Sequence, residues 1–244
     1  IHKSENKLWE RYPFALDGLY MALPFYAEYT NKSEKLSKHD KNANFKDIFK
    51  KMNWVAQNMK ADNGLYYHGM SADGKLPNRI VWLRAVGWYA MAQVEIIEQM
   101  PDGENKNTMI KQYKEFVDAM LQYQDGKTGM WKNVIHPYVD SECNKYETSG
   151  TLMVTYSIFK AYNDGYLKEK KYLNAALKAY NNTVKEKLKK DVGGYILSDI
   201  YLLSGVNEYP EKYCKCNGYR TNESKGIAPL LLCTQEVKRH YHLK

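Results

Sequence analysis

The stretch WLRAVGWYAMAQVEII, residues 82–97, is apolar, small or aromatic on nearly every side of a helix. A helix without a polar face belongs inside a layer of other helices. The segments 16–31 and 149–165 read the same way. Those at 45–60, 106–124 and 169–189 are instead amphipathic, with Lys and Asp on one face, and a further helix is predicted at 226–240. Buried and half-buried helices alternate along the chain, as in an inner row wrapped by an outer row.

A fixed period supports this. Gly64, Gly129 and Gly194 each open a glycine-aromatic or glycine-apolar stretch (GLYYHG, GMWKNV, GYILSD), and each stands 65 residues from the next. Asp17, Trp82 and Glu147, just before or at the starts of the buried helices, keep the same spacing. Self-similarity of this length marks a repeated supersecondary unit. Here the unit is helix, loop, helix and a glycine-led turn, with those three turns the best strand-like pieces. Helical hairpins repeated in this way stack into an open solenoid or a closed toroid, and the buried inner helices favour the toroid. The predicted class is all-α, with residues 1–244 forming one domain of about three and a half hairpins. A closed ring usually has six, so the chain reads either as an open solenoid or as the C-terminal portion of a longer ring. The abrupt opening at Ile1 favours the second reading.

The 244 residues suffice for one sizeable core, and 44% hydrophobic with 26% charged residues is ordinary for a globular protein. The longest apolar run, IAPLLLC, is far short of the roughly 20 residues of a membrane span. A net charge of +8 raises the question of nucleic acid. The basic residues are mostly scattered Lys without a nucleic-acid-binding fingerprint, so no nucleic-acid partner is expected, and a small anionic ligand suits the charge. The four cysteines do not form a disulfide framework and are read as free thiols, with a Cys214–Cys216 metal site as the minor alternative. No metal or cofactor motif is found, and cytoplasm and periplasm remain equally open.

The N-terminal ends of the inner helices define the ring mouth, and polar groups sit there beside aromatic ones. Asp17 is followed one turn on by Tyr20. His68 lies in a glycine turn, Arg84 and Trp88 share a helix face, and Tyr146 and Glu147 precede the next inner helix. Each has a bland reading: Asp17 and Glu147 as helix caps, His68 as a hydrogen-bonded turn residue, Arg84 as a cation–π or ion-pair partner, Lys225 as an ordinary helix entry. As a set they suit an anionic sugar, with Arg to bind a carboxylate, Trp to stack on the ring and Asp to move protons.

The ordered segments YPFALDGLYMALPFYAEY, GLYYHG, WLRAVGWYAMAQVEIIEQMP, YETSGTLMVTYSIFKAYNDGYL and KGIAPLLLCTQE resemble the unsaturated rhamnogalacturonyl hydrolases of glycoside hydrolase family 105. The unsaturated glucuronyl hydrolases of family 88 share their site plan. The resemblance implies a six-hairpin α/α toroid, of which this chain supplies about the C-terminal two-thirds. It also implies bacterial pectin degradation, by removal of a 4,5-unsaturated galacturonyl residue from rhamnogalacturonan lyase products. In that reaction one aspartic acid protonates C4 and deprotonates a water that adds at C5. Asp17 matches that acid/base, while Lys3, His68, Arg84 and Trp88 match substrate-binding positions, with Tyr20 beside them. Ala15 stands where the family often has Trp, and a second functional Asp and an aromatic of the family lie in hairpins outside this sequence. The alternatives are an unsaturated glucuronyl hydrolase acting on other lyase products and a non-catalytic carbohydrate-binding toroid.

Overall fold

The computed structural model describes residues 12, 14–215 and 218–243. The inner row consists of α1 (Gly18–Lys32), α3 (Leu83–Gln99), α5 (Thr148–Asn163) and α8 (Ser224–His240). The outer row consists of α2 (Lys38–Asn58), α4 (Glu104–Gln122) and α6 (Lys170–Lys187), and a one-turn α7 (Lys212–Lys215) precedes α8. Inner helices pack side by side in chain order, and each of the first three is flanked by the outer helix that follows it. This is part of an α/α toroid.

The two rows differ as their sequences require. Every residue of α5 from Thr148 to Ala161 is buried, whereas α6 buries only Tyr172, Ala176, Ala179 and Thr183, a stripe at three- and four-residue spacing. α3 and α5 approach closely through glycine. A Cβ on Gly150 would lie 2.5 Å from Leu83 Cγ, and one on Gly87 would lie 2.9 Å from Met153 Cβ.

The 65-residue glycines have a shared physical cause. Gly64 and Gly129 adopt φ of 83° and 74°, a region that favours glycine. Each brings the turn after one outer helix against the next: a Cβ on Gly64 would meet Ala119 of α4 at 3.0 Å, and one on Gly129 would meet Ala179 N of α6 at 2.9 Å. Gly194 keeps the positive φ with open space around it.

Four two-stranded antiparallel ladders edge the rim: β1 (Phe14–Ala15) with β2 (Gly69–Met70), β3 (Val81–Trp82) with β4 (Val134–His136), β5 (Leu188–Asp191) with β6 (Gly194–Leu197), and β7 (Ile200–Tyr201) with β8 (Tyr219–Arg220). The strand-like GYILSD stretch supplies β6. One predicted helix start moves: α2 begins at Lys38 rather than 45, because Ser37 and Asp40 form a capping box ahead of a polar first turn that carries no apolar periodicity.

The cysteine reading is corrected. Cys143 and Cys214 form a disulfide across 71 residues, with Cα atoms 5.3 Å apart, because folding brings two distant loops together where sequence spacing carries no signal. Cys233 is free and buried, and Cys216 lies outside the described residues. Among the described residues no group of three or more His, Cys, Asp or Glu is placed to hold a metal, and no helix is long and apolar enough to cross a membrane.

Candidate active site

The site is assembled by the β1–β2 ladder. Pairing of Phe14 with Met70 and Ala15 with Gly69 continues in a bond from Leu16 N to His68 O, 2.8 Å, which sets the head of α1 beside the GLYYHG turn. Asp17 then lies with Oδ2 3.1 Å from His68 Nε2.

Asp17 occupies the N-cap position of α1, but its own backbone is already helical (φ −54°, ψ −37°) and its side chain makes no cap. A capping side chain folds back onto the next turn from an extended residue, which this one is not. Backbone oxygens take the local donors instead: Leu19 N bonds Leu16 O and Tyr20 N bonds Asp17 O. The His68 contact lacks the alignment of a hydrogen bond, so among the described residues buried Oδ2 has no hydrogen-bond partner. The Asp17 side chain is 25% exposed and that of His68 is 2% exposed, so a partly exposed carboxylate rests on a buried imidazole.

Aromatic rings wall the imidazole. His68 lies 5.0 Å from the Trp82 ring and 5.5 Å from that of Tyr213, and Arg84 Cζ stands 4.6 Å over Trp82. Trp82 Nε1 donates to Asn133 Oδ1, and Asn133 Nδ2 donates to Tyr213 O, which locks this wall. The Cys143–Cys214 disulfide fastens the residue after Tyr213 to the loop beyond β4. The Tyr20 and Trp88 rings lie 4.9 Å apart, tilted by 30°, one turn along α1 and α3 from Asp17 and Arg84. Burial raises the Tyr20 pKa, and Glu95 adds to the shift.

Arg84 is buried and both its Nη groups bond within the protein. Nη1 donates to Tyr201 O and lies 3.4 Å from Ser149 Oγ, and Nη2 donates to Leu202 O at 3.2 Å. Burial lowers its pKa, while Glu147 and Asp17 raise it and favour its charge. Glu147 caps α5: its carboxylate accepts from Ser149 N, Ser149 Oγ, Gly150 N and Tyr201 N at 2.6–3.1 Å. The starts of α1, α3 and α5 therefore share one rim. Asp17, His68, Tyr20, Arg84 and Trp88 are brought to it, and Lys3 lies outside the described residues.

Sequence reasoning missed Tyr213, Asn78 and the Tyr201–Leu202 carbonyls. None sits at a repeat position or on a helix with apolar periodicity. Trp82 was visible only as a member of the 65-residue series. Two open clefts, one of about 260 Å³ lined by Ser198, Asp199, Tyr219, Arg220 and Thr221 and another of about 420 Å³ beside Tyr162, Arg239, His240 and His242, both miss Asp17. Along α1, Met21, Phe25 and Tyr29 are exposed.

Comparison with known proteins places the chain. Protein Atu3128 of Agrobacterium fabrum is 27% identical over 244 residues, covering 88% of this chain and 97% of that protein. The unsaturated 3S-rhamnoglycuronyl hydrolase of Formosa agariphila is 26% identical over 172 residues, 67% of this chain and 44% of that protein. A family-105 glycoside hydrolase structure from Clostridium acetobutylicum superposes with a TM-score of 0.82 at 28% identity over 92% of this chain. The chain spans 65% of the length of that structure. The profile of Glycosyl Hydrolase Family 88 matches residues 2–241, and the chain belongs to that family.

Proposed function

We propose that the chain carries the acid/base centre of an unsaturated uronyl hydrolase acting on rhamnogalacturonan lyase products. The observation that carries this reading is the Asp17 carboxylate, which stands at a helix start without capping it and faces a buried imidazole. In this reading Asp17 protonates C4 of the enol-ether double bond and takes a proton from the water that adds at C5. The resulting hemiketal opens and releases the rest of the oligosaccharide. Trp88 and Tyr20 form the apolar wall for the sugar. Arg84, its Nη groups held by backbone carbonyls, supplies positive charge toward the uronate from behind the site, and the family resemblance assigns Lys3 to the same carboxylate.

A second substrate is favoured by the Formosa relative, whose name specifies a 3S-rhamnoglycuronyl substrate. A panel of unsaturated uronides linked to rhamnose, sulfated rhamnose or other sugars separates the two. Turnover is followed by loss of the ultraviolet absorbance of the conjugated enol carboxylate. In labelled water the new oxygen is expected at C5 of the uronate. Oxygen at the anomeric carbon would mean ordinary glycoside hydrolysis, and binding without turnover would leave a carbohydrate-binding toroid.

A further inference from the structure

The phenol of Tyr213 is fully buried and has three polar neighbours: His68 Nδ1 at 2.7 Å, Asn78 Nδ2 at 2.9 Å and Asn207 N at 3.0 Å. Their donor and acceptor roles follow by counting protons. Asn207 N is a backbone N–H and only donates. The orientation of the Asn78 amide is fixed by two one-way partners: its Oδ1 accepts from Gly69 N, 3.0 Å, and its Nδ2 donates to the Asn207 carbonyl, 2.8 Å. Nδ2 therefore also donates to the phenol. A phenolic oxygen accepts about two hydrogen bonds and donates one. Both accepting directions of Tyr213 are filled, so its single proton goes to the remaining neighbour, His68 Nδ1. Burial pushes the Tyr213 pKa upward, so the phenol keeps that proton.

A neutral imidazole that accepts at Nδ1 carries its own proton on Nε2, and Nε2 is the nitrogen 3.1 Å from Asp17 Oδ2. We propose that Tyr213 is a positioning residue that holds His68 as the Nε2–H tautomer and so sets a ring N–H, rather than a lone pair, beside Asp17. This rests on the acid/base reading of Asp17 given above. It also distinguishes the two oxygens of that carboxylate: Oδ2 is buried beside the imidazole N–H, so the oxygen left to exchange a proton with substrate is Oδ1. Asn78 and Asn207, from two separate loops, act through Tyr213 by occupying its lone pairs.

The test reads the tautomer directly. Long-range proton–nitrogen spectra of the uniformly ¹⁵N-labelled full chain are recorded at neutral pH, with His68 identified by the signals lost in His68→Gln. The expected result is a protonated Nε2 and an unprotonated Nδ1. In Tyr213→Phe the Nδ1–H tautomer should become populated, and kcat should fall about tenfold, the effect of one neutral hydrogen bond, with little change in KM. A merely structural role would leave the tautomer where it was. If Tyr213→Phe does not fold, Asn78→Asp serves, since it keeps the acceptor for Gly69 N and turns a second acceptor toward the phenol. Tyr213 should then donate to the new carboxylate, and His68 should switch to Nδ1–H. An Nδ1–H tautomer in the unmodified protein, or an unchanged tautomer in both variants, overturns the proposal. The outcome is separable from the fate of the functional reading. Nε2–H in a protein that turns over no unsaturated uronide leaves the tautomer standing and removes the activity, and Nδ1–H in an active protein does the reverse.

Discussion

At the head of α5 the Glu147 carboxylate is fully buried and accepts four hydrogen bonds, three from backbone N–H groups and one from a hydroxyl. At the head of α1, two repeat units earlier, the Asp17 carboxylate accepts none among the described residues and is partly open to the mouth. Backbone conformation separates them. Glu147 is extended (φ −107°, ψ 124°), so its side chain reaches over the first turn, whereas Asp17 is already helical and cannot reach back. A buried carboxylate is tolerated when donors satisfy it and is costly when they do not. Equivalent positions in a repeat are thus built differently: the satisfied carboxylate ties the head of α5 to β7, and the unsatisfied one is left for the acid/base role proposed above.

The largest expected effect breaks the comparison on the Asp17 side. Asp17→Asn keeps size and shape but removes both proton donation and basicity. Turnover should fall by roughly 10²–10⁴-fold, the usual cost of losing a general acid/base, with the melting temperature nearly unchanged. Near-normal turnover would reduce Asp17 to a residue at a helix start.

Glu147→Gln makes the reverse test. The amide supplies one good acceptor but aims an NH₂ at backbone donors, so at least one buried N–H loses its partner. The expected loss is about 2–3 kcal/mol of stability, read as a melting temperature lower by about 4–12 °C. Turnover per folded molecule should change far less than in Asp17→Asn. If Glu147→Gln abolishes turnover while leaving stability intact, the division of labour between the two carboxylates is wrong.

The repeat made much of this legible. Gly64 and Gly129 are spaced as they are because each lets a turn touch the next outer helix, and Asp17, Trp82 and Glu147 are spaced as they are because each is an N-cap residue of an inner helix. Periodicity reports such features because every repeat needs them. What it cannot report is how a carboxylate is used. Whether Asp17 caps or reacts is decided by one pair of backbone angles and by the register that sets Leu16 against His68. Nor could it find Tyr213, which reaches His68 across 145 residues from the one-turn α7 held by the Cys143–Cys214 disulfide. Long-range pairings of this kind leave no mark on local spacing.

A third inner-row carboxylate sharpens the comparison by lying between the other two. Glu95, two turns beyond Trp88 on α3, is half-buried and accepts a hydrogen bond from Tyr156 Oη. Burial raises its pKa, and the Tyr156 bond and the nearby Lys160 oppose the shift without cancelling it. The sign for stability follows. An acid whose folded pKa lies above its unfolded value favours the folded state most when protonated, so its contribution is complete below the unfolded pKa and is lost as pH rises through the folded one. At neutral pH the ionised Glu95 is therefore a burden that Glu147, with four donors, is not. Glu95→Gln retains an acceptor for Tyr156 and does not titrate. Its melting temperature relative to the unmodified protein should rise between pH 4 and pH 7, by less than the change expected for Glu147→Gln. Thermal unfolding at a series of pH values measures this difference. A difference that stays flat across the range, or that falls as pH rises, would mean that Glu95 is satisfied in the manner of Glu147 and that the three carboxylates do not form a series.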